Sequence, residues 1–290
     1  MNDLEQLHKN IHYINKETPY SLTRTITEDG HPDILFHWHT DLELIYIHEG
    51  TAQFHIDYHY FESQVGDIIL IHPNALHSIH PIENKRHYMD ALNFPMELLN
   101  YATTDQANVN YLQPLYNGEL EFTKVIKPTD RGYGEIRACL IGAMETGYYC
   151  KPYFEFQLKA QLNQLFYLLF KNKYISAKEG SSEGAHKEEK IRSIIDYISQ
   201  HYQEDLSIEQ LATFSGYSST HFMNFFKKHL GIACIEYLIQ FRLRKAAHLI
   251  QYSALPILEI SNQSGFKNLS NFNRQFKKHY NMTPSQYRRK

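Results

Sequence analysis

Cysteine is scarce in this chain of 290 residues, and Cys139, Cys150 and Cys234 stand far apart in no paired spacing. A disulfide framework and a cysteine-built zinc site are therefore not expected, and a reducing cytoplasm fits best. No run approaches the ~18 consecutive apolar residues of a bilayer span, so no membrane segment is expected. The polar start, Met1 to Asn10, has no apolar signal-peptide core. No phosphate-binding glycine loop stands out, nor any Ser/His/Asp or Cys/His set in suitable context, which argues against an enzyme. Charge of one sign is also missing overall: 29 Lys and Arg meet 32 Asp and Glu, for a net −3.

That near balance conceals an asymmetry. Residues 187–290 hold 15 basic and 8 acidic residues, net +7, which leaves 14 against 24, net −10, for the preceding part. A basic third on an acidic body points the former at a polyanion. The stretch KNKYISAKEGSSEGAHKEE around residues 171–189 offers almost nothing to bury and reads as a flexible linker. The expected division is a first domain over 1–172, a linker over 173–187 and a second domain over 188–290. Residues 20–95 read as short strands, with LELIYIH, TAQFHID and DIILIH as the clearest runs. From about Glu135 the pattern turns helical. Over Pro152–Phe170, Phe154, Leu158, Leu162, Leu165, Phe166 and Leu169 form one apolar face. That face fits packing on the chain's own strands and fits a dimer interface equally well.

The most informative feature is an internal repeat. IEQLATFSGYSSTHFMNFFKKH (208–229) is echoed by ILEISNQSGFKNLSNFNRQFKKHY (257–280). Ile208, Ala212 and Gly216 correspond to Ile257, Ser261 and Gly265. Phe222 and Phe226 correspond to Phe272 and Phe276, one residue of offset having entered between. Each copy reads as a short helix, a glycine turn and a second helix, the helix-turn-helix pattern. Ser207 with Gln210 has capping-box spacing, Asn268 suits an N-cap, and Thr283-Pro284-Ser285-Gln286 starts a short closing helix. One long helix is expected over Ile235–Tyr252, with Tyr237, Leu238, Phe241, Ala246 and Leu249 buried. As a stiff spacer it would let the two units enter successive major grooves, which recur about every 34–36 Å.

From Ile191 to the C-terminus these segments resemble the DNA-binding domain of AraC/XylS-type transcription regulators. With Phe222, Phe226, Phe272 and Phe276 facing inward, Thr220, Met223, Asn224 and Lys227 lie outward in the first unit, and Ser270, Asn273, Arg274 and Lys277 in the second. The resemblance places these residues, with Asn268, at the DNA. Asn and Arg suit base edges, Lys suits phosphate, and Met offers apolar contact. The first unit, with Asn224 where the second has Arg274, is expected to depend less on charge.

In the first domain HWHTDLELIYIHEG (37–50) and GDIILIHPNALH (66–77) resemble the two motifs of cupin barrels. There are departures: His72 holds the usual proline position, Asn74 a glycine position, and Gly30 lies one residue too far upstream. Asn74 tolerates left-handed backbone, so the turn should survive. In cupin enzymes the matching His37, His39, Glu43 and His77 would ligate a divalent metal. His37, His39 and Glu43 share odd parity and hence one strand face. AraC-type regulators often keep such residues as hydrogen-bonding groups without metal, and no metal or other cofactor is expected here. With Trp38 they are instead the candidate effector-binding residues, and several tyrosines are expected at the pocket rim.

The fold expected is thus a cupin-like β-barrel with trailing helices, followed by an all-α double helix-turn-helix domain. The function expected is a cytoplasmic, sequence-specific transcription regulator. It would bind double-stranded DNA, answer to a small-molecule effector of the sugar type, work as a homodimer and contact RNA polymerase. Two alternatives stand beside it: a metal-dependent cupin enzyme with a DNA-binding tail, and a constitutive DNA-binding protein whose barrel only dimerises.

Overall fold

The computed structural model describes residues 20–27, 34–57, 59–82, 86–99, 105–177 and 182–289. Gly30, the start at 1–10, and Gly180 and Ser181 of the expected linker lie outside them. Two antiparallel sheets make the first half. In one, β1 (Ser21–Thr27), β8 (His87–Phe94), β3 (Leu42–Glu49), β6 (Ile68–Ile71) and β10 (Val125–Ile126) lie side by side in that order. In the other the order is β2 (Ile34–His37), β7 (His77–Pro81), β4 (Ala52–Ile56) and β5 (His59–Glu62).

The run LELIYI is apolar on both faces because β3 is covered on both. Its odd residues Ile45 and Ile47 pack between the sheets with Phe54, Ile56, Ile69, Ile71 and Ile79. Its even residues Leu42, Leu44 and Tyr46 pack outward in one cluster with α2 (Tyr133–Tyr149) and α3 (Phe154–Lys171), which follow the short α1 (Gln113–Tyr116). Leu158, Leu162, Leu165, Phe166 and Leu169 of α3 are buried in that same cluster. The helix stripe that fitted a core or a dimer equally well is therefore packed on the chain's own sheet.

The expected linker needs correction. β9 (Leu120–Phe122) pairs antiparallel with β11 (Ile175–Ala177), Ile175 opposite Phe122, so part of 173–187 is held by a backbone ladder. α4 (Ser182–His201) then begins inside the same stretch. A polar composition does not bar a helix whose later turns bury Ile191, Ile194, Ile195 and Ile198.

The helical half follows local signals closely. α5 (Ile208–Ser215) starts on the reciprocal capping box of Ser207 and Gln210 and ends at Gly216, φ +71°. α6 (Ser219–Leu230) is capped by Ser218. α7 (Cys234–Tyr252) runs about 28 Å at 1.5 Å per residue. It buries Tyr237, Leu238, Phe241 and Ala246, while Leu249 is only partly buried. α8 (Ile257–Gln263), α9 (Leu269–Tyr280) capped by Asn268, and α10 (Pro284–Arg289) complete the second unit.

The two halves share a core. Barrel residues Leu35, Phe36 and Leu76 sit in one apolar cluster with Ile191, Ile195, Phe222, Tyr237 and Phe241 of the helical half. The sequence suggests a separate C-terminal core, whereas here three barrel side chains belong to it.

Candidate effector cavity and nucleic-acid interface

Each recognition helix separates its faces cleanly. Phe222, Phe226, Phe272 and Phe276 are fully buried. Thr220, Met223, Asn224 and Lys227 on α6, and Ser270, Asn273, Arg274 and Lys277 on α9, are all exposed, as is Asn268. Arg274 donates from Nη2 to Asn271 Oδ1 at 2.9 Å, one turn earlier, so the guanidinium is partly ordered along the helix. Its remaining donors leave capacity for a two-pronged contact. Met223, 46% exposed, is an apolar tip on an otherwise polar surface.

The sheets are open where edge strands β1 and β2 approach the helical half. A cavity of about 190 Å³ lies there, lined from the barrel by Thr23, Thr25, Met89, Ala91 and Asn93, among others, and by Ile195, Asp196, Ser199, Tyr237, Phe241 and Arg244 from α4 and α7. All five candidate effector residues, His37, Trp38, His39, Glu43 and His77, line it too. Of the several tyrosines expected at its rim, Tyr237 alone lines it among the described residues, and it comes from the helical half.

Strand register assembles the imidazoles. His37 at the end of β2 is the direct partner of His77 at the start of β7, their ring centroids 4.1 Å apart. His39, two residues on, lies 5.0 Å from His77 by centroid. Glu43, on the inward face of β3, places Oε2 3.2 Å from His39 Nε2 and 3.2 Å from His77 Nε2. Only the first contact makes a hydrogen bond, and the fully buried His77 Nε2 has no hydrogen-bond partner. Burial, with His77 and His39 alongside, holds His37 well below the ordinary histidine pKa. Burial opposes ionising Glu43, yet the His39 hydrogen bond and the close His77 ring outweigh it and keep its carboxyl well below the usual range. His39 is desolvated too, but Glu43 raises its pKa on balance. The turn before β7 survives the departures noted above, for Asn74 takes φ +64° and donates its N–H to His39 O at 2.7 Å.

β2 also ties the cavity to the helices. Trp38 Nε1 donates to Asp196 Oδ1 at 3.2 Å, and Tyr237 Oη donates to Phe36 O at 2.9 Å. The residues on either side of His37 are thus both held by the helical half.

Two family models match this chain: a helix-turn-helix domain over residues 200–290, and an AraC-like ligand binding domain over 23–147. The chain belongs to the AraC-type helix-turn-helix transcription regulators. An HTH-type transcriptional regulator of Bacillus subtilis (strain 168), YdeC, is 23% identical over 277 residues, covering 91% of this chain and 89% of that one. An HTH-type regulator of Staphylococcus aureus (strain COL) is 31% identical over 115 residues, where the match covers 40% of this chain but only 15% of the relative. Among solved structures, the C-terminal domain of AraT from Geobacillus stearothermophilus is 36% identical (34% of this chain, 84% of that one, TM-score 0.34). ToxT from Vibrio cholerae is 16% identical over 93% of this chain and 98% of its own (TM-score 0.49).

In this AraC-type regulator, sequence reasoning reached the barrel side of the cavity and missed its helical wall. Asp196, Tyr237 and Arg244 were not singled out as cavity residues. One signal was present. Tyr237, Phe241 and Arg244 follow i, i+4, i+7 spacing on the buried face of α7, and a 7% exposed arginine within an apolar stripe calls for a polar neighbourhood.

Proposed function

We propose that this regulator binds a small polar metabolite in the cavity between barrel and helices, and that the ligand adjusts how the two recognition helices are presented to double-stranded DNA. The observation that supports this is the shared wall: a ligand there touches β2 and α7 at once, so it has a route to different affinity for different arrangements of the domains. Outward Arg274, Asn273 and Asn224 would read base edges, Lys227 and Lys277 would meet phosphate, and Thr220, Ser270 and Asn268 would fix the helix starts on the backbone. Among the described residues no helix is long and apolar enough to cross a membrane. A regulator of this type acts where the DNA is, in the cytoplasm, as a homodimer that contacts RNA polymerase and catalyses no reaction.

The test is a thermal-shift screen of the full chain against sugars and related metabolites, repeated with Ala91→Leu. Ala91 is buried in the cavity wall on β8, so the added bulk narrows the space from the barrel side. A metabolite should stabilise the parent protein, shift its DNA affinity and lose both effects in the variant. A ligand whose effects survive Ala91→Leu binds elsewhere, and that result would refute the assignment.

A further inference from the structure

The two DNA-binding units keep separate apolar cores. Among the described residues, Leu211, Phe222 and Phe226 of the first unit are buried in one cluster, and Ile260, Phe272 and Phe276 of the second in another. Helix α7 serves both: Tyr237, Leu238 and Phe241 belong to the first cluster, and Leu243, Ala246 and Ile250 to the second. The changeover falls at Arg242, near the middle of the helix. Apolar packing thus holds each unit to its own half of α7. A helix resists stretching better than bending, so the angle between the units depends on what else ties them together.

Polar contacts supply that tie, and they converge on residues 202–205, the connection between α4 and α5. Arg242 donates from Nε to Tyr202 O and from Nη2 to Glu204 O, both at 2.7 Å. The Tyr202 ring lies 5.3 Å by centroid from that of Phe241, which anchors the connection in the first unit. From there it reaches into the second. Gln203 Nε2 donates to Gln263 O, at the end of α8, at 2.8 Å. Asp205 Oδ2 pairs with Lys267 Nζ at 2.6 Å, one residue before Asn268, the cap of α9. The backbone at Gly265 fits so closely that a Cβ there would stand 2.5 Å from Tyr202 O and 2.9 Å from Arg242 Nε. These contacts differ in worth. Lys267 and Asp205 are both largely exposed, so salt screens their pair and it holds little. Two short bonds from one planar guanidinium to two carbonyls fix both distance and direction.

We propose that Arg242 is a positioning residue for DNA reading. By seating the 202–205 connection against the α8–α9 turn, it sets the angle between recognition helices α6 and α9 and so fixes the half-site spacing that the protein accepts. Successive major grooves lie about 34–36 Å apart, and one base pair more or less moves the second half-site by about 3.4 Å and turns it by roughly 35°. Units free to swing on α7 follow such a shift, whereas clamped units do not. This role rests on the reading of α6 and α9 as the DNA-facing helices, and it adds a preference for spacing to their preference for bases.

The experiment selects a preferred duplex for the full chain from a randomised pool and locates the two contacted grooves by hydroxyl-radical footprinting. Duplexes with one base pair inserted or removed between those grooves are then titrated. The parent protein should lose roughly tenfold or more in affinity on either shifted duplex, as for a mismatched half-site. Arg242→Met keeps the aliphatic stem and removes both donors, and it should lose only about threefold or less on the same duplexes. Its discrimination against single-base changes within each half-site should match the parent's. A merely structural role would instead weaken every duplex alike and leave the spacing ratio where it was. Circular dichroism checks folding. Should Arg242→Met not fold, Gln203→Ala combined with Asp205→Ala, both exposed positions, cuts the links to the second unit and should relax the spacing ratio in the same way. A folded variant that keeps the parent's spacing ratio overturns the clamp. A parent protein that selects bases but ignores spacing overturns the clamp alone, and one that selects no sequence overturns the reading of α6 and α9 and the clamp with it.

Discussion

The phenol of Tyr237, in the first turn of the spacer helix α7, donates to the backbone carbonyl of Phe36 at 2.9 Å, one residue before His37. Tyr237 is fully buried, so this bond has no solvent to compete with it. It joins the helix that spaces the recognition units to the strand that carries the first cavity histidine.

Tyr237→Phe should therefore cost about 1–2 kcal/mol, since the Phe36 carbonyl loses its partner inside the shared core. Trp38 is the chain's single tryptophan and donates to Asp196 across the same junction, so the tryptophan emission comes from that junction alone. Loosening the junction should shift the emission to longer wavelength in Tyr237→Phe and in Asp196→Ala. Unchanged spectra and melting midpoints in both would show that the tie is not stabilising.

Base reading and phosphate holding should separate on α9. Arg274→Ala should cost about 1–3 kcal/mol on a selected site and relax preference at one base pair. Lys277→Ala should weaken selected and scrambled duplexes alike and lower the salt slope by about one unit. Both residues are exposed, so unfolding midpoints should stay put. Equal losses on both duplexes for Arg274→Ala would make its role purely electrostatic.

The two turn glycines should differ under the same substitution. Both have left-handed φ, +71° at Gly216 and +82° at Gly265, which costs a residue with a Cβ roughly 1–2 kcal/mol. A Cβ on Gly216 meets open space, while one on Gly265 falls 2.5 Å from the Tyr202 carbonyl oxygen. Gly265→Ala should cost about 2–5 kcal/mol in total, clearly more than Gly216→Ala. Denaturant unfolding of the two variants makes the comparison, and equal losses would remove the steric argument.

Acid should weaken the barrel in two steps. Burial opposes ionising Asp57, but His72 and Lys124 outweigh it and lower its pKa to about 2. A depressed carboxylate contributes stability that is complete above its unfolded value near 4 and lost as pH falls through 2. Asp57→Asn should then cost on the order of 2 kcal/mol at pH 7 and nearly nothing at pH 2. At higher pH, burial lowers His55 and His87 to about 4. The unfolded chain takes up those protons from about pH 6.5 downward, so stability also falls between pH 6.5 and 4. That upper step should persist in Asp57→Asn. A variant whose stability curve parallels the parent's down to pH 2 would contradict the Asp57 assignment.

What was legible in the sequence was local. The capping box at Ser207, the cap at Asn268 and the glycines at 216 and 265 each act within a few residues, and the repeat shows the turn glycine and the cap after it twice. The odd parity of His37, His39 and Glu43 likewise survives into the cavity, because strand alternation is a property of the strand itself. What was illegible depends on distant partners. β11 is three residues long and owes its existence to pairing with β9, more than fifty positions earlier. Asp196 and Arg244 become cavity residues only because the helical half closes the open side of the sheets, which no periodicity announces.

Leu35, Phe36 and Leu76 have a bearing on how such a protein can be reassembled. They are barrel side chains seated among the helices that carry the reading heads. A foreign sensor spliced ahead of Ser182 would leave a greasy hollow over Ile195 and Phe241 unless it brought side chains of matching shape. Recombination at this boundary is thus filtered by fit. Sensors that pass the filter inherit a mechanical grip on the reading heads from the first generation, before any selection for signalling.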